Sequence, residues 1–163
     1  INMKKSLCET LPFGRSLAIL AKSYYGALSR RLDHHAIERY YSILMLIESL
    51  PAGCTQQYIC DQLKIDKVSM VRKIQFLLQE GYIKKILNPD DRRAYRVELT
   101  ARSRQILPDI HQAIDEVNNA ALRGIPKNKI RELYSHLSAI QQNLDALPAE
   151  KIFINYKKSS VKK

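Results

Sequence analysis

The sequence predicts a mainly α-helical chain with one small β-hairpin. Two patterns and a set of breaks carry that reading. Apolar residues recur at intervals of three and four along most of the 163 residues, the period of a helix face. "YIKKIL" reads as a strand before a Pro-Asp turn, and "AYRVEL" after it alternates with a period of two instead. "PAG" at 51–53, Gly81 and "GIP" at 124–126 punctuate the chain between these runs.

Each element follows in order. Phe13, Leu17, Leu20, Tyr24, Leu28 and Leu32 form one helical stripe. The segment Tyr41–Leu50, "YSILMLIESL", is apolar nearly all round and predicts a buried helix. After "PAG", Thr55 opens a third helix, because its hydroxyl can accept from an orphan backbone N–H. That helix ends near Leu63. Asp66 offers a second N-cap, and "KVSMVRKIQFLLQE" runs from it to Gly81, a residue suited to a left-handed C-cap.

Residues 55–81 therefore read as helix, short turn, helix, the outline of a helix-turn-helix. "YIKKIL" is the first strand of the hairpin, "NPDDRR" its turn and "AYRVEL" the returning strand. A hairpin after a helix-turn-helix is a wing, so the predicted fold class is a winged helix-turn-helix. Thr100 caps a long helix reaching about Arg123, with Leu107, Ile110, Ile114, Val117 and Ala121 at heptad-like spacing. Pro108 is expected to interrupt it and to bend its first turns. A last helix carries Ile130, Leu133, Leu137, Ile140, Leu144 and Leu147.

Those two stripes are long for helices that serve only their own domain, and they predict a homodimer. The expected organisation is a dimerisation helix in 1–34, a winged helix in 35–100, dimerisation helices in 101–150 and a basic, frayed tail in 151–163.

Composition narrows the partners. Apolar residues at 45% and charged residues at 26% are ordinary for one globular domain. A net charge of +11 and a pI near 9.7 favour polyanions: nucleic acid, an acidic membrane surface or an acidic protein. No apolar run approaches the roughly 18 residues of a membrane helix. Ile1 and Asn2 precede Met3, which is the expected natural start, and the N-terminal stretch reads without a signal-peptide core. Three cysteines, Cys8, Cys54 and Cys60, are too few and odd in number for a disulfide framework, and the expectation is a reducing cytoplasm. His34 and His35 are adjacent, His111 and His136 isolated, and no Cys/His spacing matches a structural zinc site. No Gly-rich phosphate loop, nucleophile elbow or paired-acid constellation appears, so neither an enzyme nor a cofactor is expected.

The fourth helix can be read as a surface. Met70, Ile74, Leu77 and Leu78 share its core face. Val68, Arg72, Gln75 and Gln79 lie roughly opposite, with Lys67 and Ser69 in the first turn. An N-terminal turn pushes furthest into a major groove, where Arg72 could bond guanine through two N–H groups and Val68 could touch a thymine methyl. Thr55, Gln56 and Gln57 at the start of the third helix make a seat for a backbone phosphate, or a plain cap.

With these pieces in place, "TQQYICDQLKIDKVSMVRKIQFLLQEGYIKK" followed by "NPDDRRAYRVELT" resembles the MarR family of bacterial transcription regulators. Asp91, Arg92 and Arg93 match the family's wing, and Leu99-Thr100 close the pattern. The resemblance implies a symmetric homodimer that represses transcription, each protomer presenting a winged helix to half of a pseudo-palindromic duplex operator. By the same match, Lys67, Val68, Ser69, Val71 and Arg72 fall where members read the major groove. Arg93 falls where a wing arginine enters the minor groove, with Arg92 beside it for a phosphate and Asp91 bracing the guanidinium. A narrow minor groove attracts arginine, whereas a bare carboxylate there would be repelled.

Two positions depart from the pattern: Lys73 stands at a usually apolar place, and Cys60 at a small-residue site that predicts burial. Many relatives release DNA on binding a small aromatic molecule, which makes Tyr24, Tyr25, Tyr40 and Tyr41 candidate pocket residues, against simple packing. Some relatives sense oxidants near the first helix, which makes Cys8 the candidate redox thiol. The alternatives are a winged helix used as a protein-interaction module and a thiol-based redox-sensing regulator.

Overall fold

The structure is a computed structural model describing residues 11–33, 37, 40–50, 52–88, 91–148, 150 and 152; the side chains of residues 88 and 91–94 are outside that description. The elements are α1 (Phe13–Arg31), α2 (Tyr41–Glu48), β1 (Cys54–Thr55), α3 (Gln56–Leu63), α4 (Lys67–Gln79), β2 (Ile83–Asn88), β3 (Asp91–Leu99), α5 (Ala101–Ala121) and α6 (Lys127–Asp145). This is the predicted fold class, mainly helical with a small antiparallel sheet.

Side chains start three of the helices. Thr55 Oγ1 accepts from Tyr58 N at 3.2 Å, Asp66 Oδ1 from Ser69 N at 2.8 Å, and Thr100 Oγ1 from Ser103 N at 3.4 Å. Each cap satisfies one of the four N–H groups that a helix start leaves without a partner. The stop of α4 is equally specific. Gly81 sits at φ +69°, its N–H donates to Leu78 O, and Tyr82 N donates to Leu77 O at 2.8 Å. That pair of bonds is a Schellman motif, and its left-handed residue is cheapest as glycine.

The sheet order is β1-β3-β2, all antiparallel. β2 and β3 form the wing, with Ile83 opposite Leu99 and Lys85 opposite Val97, and an irregularity at Leu87/Asn88. β1 was not expected. It pairs Cys54 with Val97 and Thr55 with Arg96, using the two residues before α3 to cover the free edge of β3. Gly53 makes this possible: it lies at φ +67°, and a Cβ there would come within 2.6 Å of Val97 O.

One core joins the winged helix to α1 and α5. Leu28 and Leu32, Ile43 and Leu44, Ile59, Met70 and Leu77, and Ile110 are all fully buried. The outer half of the α1 stripe is not covered: Phe13 and Leu20 remain 57% and 55% exposed. The two C-terminal stripes also differ. Leu107, Ile110 and Val117 of α5 are buried within the chain, because α1 and α2 pack across them. By contrast, α6 buries none of its residues and makes no extended contact with any described element. Pro108 does not interrupt α5, which continues through it as one helix. Pro108 and Arg104, whose carbonyl loses its N–H partner, are both exposed, so water can take that bond.

Candidate nucleic-acid interface

The chemistry of α4 divides between its two faces. Met70, Ile74 and Leu77 are buried and Leu78 half-buried, which fixes the rotation of the helix on the core. The opposite side is then held outward. Lys67, Val68, Val71, Arg72, Gln75 and Gln79 are exposed and Ser69 half-buried. Val68 is 65% exposed and Val71 40%, two β-branched residues in the first turns of a helix with no cover of their own. Asp66 holds the helix start by bonding Ser69 N, so Lys67 to Ser69 are fixed by a cap rather than left to fray. The turn from α3 is short because Lys64 adopts a left-handed conformation at φ 51°, and Ile65 anchors it in the core.

At the start of α3, Gln56 is half-buried and Gln57 exposed, next to the exposed Tyr58. Gln57 Nε2 donates to Asp61 Oδ1 at 2.9 Å. Thr55 is engaged as the cap, so of the two readings for that residue the capping one is satisfied. On the wing, Lys84 pairs with Glu98 at 3.1 Å, as the strand register dictates. Lys85 Nζ lies 5.8 Å from the centre of the Tyr95 ring, within cation–π range. The backbone of Asp91, Arg92 and Arg93 lies in β3. Their side chains are outside the described residues, as is Cys8.

Lys73, out of pattern in the sequence, has a place. Its Nζ sits 5.2 Å from the centre of the Tyr40 ring, and that ring stacks on Phe76 at 4.3 Å and 9°. A lysine replaces an apolar residue here because an aromatic face receives the cation while its stem covers apolar surface.

A model of the MarR family matches residues 38–94, from the start of α2 into β3. The winged helix of this chain is similar to the MarR family. Solved structures extend the likeness beyond that segment. A MarR transcriptional regulator from Methanosarcina mazei is 26% identical, with 82% of this chain and 97% of that one covered and a TM-score of 0.74. A MarR family regulator from a Rhodococcus species is 21% identical, covering 83% and 96%, with a TM-score of 0.73. A MarR family regulator from Listeria monocytogenes, solved with a 26mer DNA, is 22% identical, covering 82% and 89%, with a TM-score of 0.74. The last two share the MarR fold with this chain.

The remaining candidates lie away from α4. The four tyrosines fall into two groups. Tyr24 donates to Asn118 Oδ1 at 2.9 Å and packs edge-on to Tyr25, at the contact of α1 with α5. Burial, then the nearby phenols of Tyr134 and Tyr25, push the Tyr24 phenol above its ordinary pKa. Tyr40 belongs to the Phe76 stack, and Tyr41 is half-buried against the core. Two shallow cavities, of about 210 and 270 Å³, are lined by none of the four. Cys54 and Cys60 are buried free thiols; burial pushes Cys54 up to about 11 and raises Cys60 as well. His111 Nε2 lies 2.8 Å from Glu48 Oε2, a contact between α5 and α2. Among the described residues no group of three His, Cys, Asp or Glu could hold a metal ion.

Sequence patterns missed the Lys85–Tyr95 pair and the β1 edge. The first leaves a trace, since Lys85 is a second lysine in the middle of the apolar strand "YIKKIL", opposite Val97. The second leaves none, because a two-residue strand has no period.

Proposed function

We propose that the protein is a homodimeric transcriptional regulator, a repressor, that binds a pseudo-palindromic duplex-DNA operator. The observation that carries this is the exposed first half of α4. Lys67, Val68, Val71 and Arg72 project outward from a helix whose rotation is locked by Met70, Ile74 and Leu77 and whose start is locked by Asp66. That combination supplies a cation, a fork of N–H donors and two apolar contacts on one preorganised helix end, the set a major groove can read. In this reading Ser69 and the Thr55–Gln57 start of α3 face phosphates. Arg93, with Arg92 beside it and Asp91 to brace it, reaches the minor groove. The +11 charge supplies the non-specific attraction.

The bare face of α6 supports the homodimer. Most helical stability in proteins comes from packing an apolar face, yet α6 buries none of its residues, and Leu133, Leu137 and Leu144 on it, with Leu147 just past its end, are all exposed. Phe13 and Leu20 of α1 add to the uncovered apolar surface. Release by a small aromatic molecule belongs to the same reading. An effector among the four tyrosines would have to displace the Tyr40–Phe76 stack or the Tyr24–Asn118 bond.

Selection from random duplex DNA at near-physiological salt tests the proposal. The expected product is an inverted repeat with half-site centres about one helical turn apart. Binding with no enriched motif, collapsing as salt rises, would reduce the protein to a basic surface and favour a protein-interaction role.

A further inference from the structure

Glu80 and Arg102 each sit at the wrong end of their own helix. Glu80 is an acid at the C-cap of α4, where the helix dipole favours a cation. Arg102 is a cation in the first turn of α5, where the dipole favours an anion. Each is right for the other. Arg102 Nη1 donates to the backbone carbonyl of Glu80, one of those that the end of α4 leaves without an intrahelical donor. Arg102 Nη2 lies 3.7 Å from Glu80 Oε2, and the guanidinium lies over the Tyr82 ring at 4.6 Å. Tyr82 itself is buried and closes the Schellman turn of α4.

A second bond set runs alongside. Thr100 Oγ1 donates to Gly81 O at 2.6 Å, and Thr100 N donates to Tyr82 O at 3.1 Å. The end of α4 and the start of α5 are thus clamped over Glu80–Tyr82 and Thr100–Arg102, although about twenty residues of wing separate them in sequence. The ion pair alone would count for little, since both side chains are about half-exposed. Its value is geometric: a planar fork, bonded to the Glu80 carbonyl and set over the Tyr82 ring, restricts the direction of approach.

We propose that Arg102 is a positioning residue that sets the angle between α4 and α5, and through it the half-site spacing that the homodimer accepts. This rests on the proposed reading of α4 as the DNA-entering helix. If α5 and α6 carry the dimer, α4 can reach a groove on each half-site only at one angle to them. The clamp holds that angle before DNA arrives, so binding does not have to select it from many.

The test uses the full chain and the operator that the wild type selects. Binding is measured on that operator, on versions with the half-sites one base pair closer or further apart, and on a duplex with a single half-site. One base pair turns a half-site by about 35°, so a rigid dimer should show a sharp optimum. Arg102→Ala should weaken binding at the optimum about tenfold if the spanning geometry falls to roughly one-tenth occupancy. It should also flatten the spacing profile and leave single-half-site affinity unchanged. Arg102→Lys, which keeps the charge but not the fork, should behave like Ala. Equal losses on every duplex, or an unchanged profile, would overturn the role of Arg102. A wild type that shows no spacing optimum would overturn the underlying reading, and the inference with it.

Discussion

Removing the Asp66 cap should separate two contributions at the start of α4. Asp66→Ala deletes the 2.8 Å bond to Ser69 N and leaves that N–H without its side-chain partner. Loss of a good N-cap costs about 1 kcal/mol. The carboxylate also faces the positive end of the helix dipole, worth about 0.3–1 kcal/mol more. Asp66→Ala should therefore lower unfolding stability by about 1.5 kcal/mol. Asp66→Asn keeps an acceptor and drops the charge, so only the dipole share, about 0.3–1 kcal/mol, should go. Urea unfolding at fixed protein concentration reads both, as a lower midpoint with an unchanged slope. Binding to the selected operator should respond differently. Ala frees Lys67 to Ser69 to fray and weakens it, whereas Asn removes an acid beside the DNA and should preserve or strengthen it. Equal stability losses for Ala and Asn would refute the cap as the cause.

Three further outcomes are expected. Arg72→Ala should cost about 1–3 kcal/mol at one base position in each half-site, measured across single-base operator variants; a uniform loss would make Arg72 a phosphate contact. Arg93→Ala should weaken binding mainly where the flanks are A·T-rich, so equal weakening on G·C-rich flanks would remove the minor-groove assignment. Cys54 should resist iodoacetamide in the folded protein at neutral pH, because its thiol is buried and titrates only near about 11. The sign for stability follows. Between the ordinary value of 9.0 and about 11 the unfolded thiol has lost its proton and the folded one has kept it, so stability falls as pH rises through that window. Rapid labelling at pH 7, or stability flat across the window in the wild type but sloping in Cys54→Ala, would contradict the burial.

The periodic parts of this molecule were legible because period reports which face of an element is apolar. The three side-chain caps and Gly81 were legible for a related reason: each satisfies a need of its own helix end. The α4 surface followed from the same logic, since Met70, Ile74 and Leu77 could face only inward and Arg72 then only outward. Pro108 misled because the rule about proline concerns a missing N–H, and the sequence does not say that the orphaned carbonyl lies on a wet face. The α5 and α6 stripes look alike as letters, yet one is covered by α1 and α2 and the other is bare. Periodicity names an apolar face and is silent about what covers it.

The pairings were the part that no single segment could disclose. Lys73 reads as a misfit until Tyr40, thirty-three places earlier, is seen stacked on Phe76 beneath it. Glu80 and Arg102 read as two residues poorly suited to their own helix ends, and they make sense only across the gap between helices. Both cases have the same form. A charge that is locally unfavourable is retained where a partner from another element reverses the sign of its effect. A charge at the wrong helix end is therefore a signal in its own right. It marks the place where a second element has to arrive, and in this chain it marks the junction between α4 and the helix that would carry it.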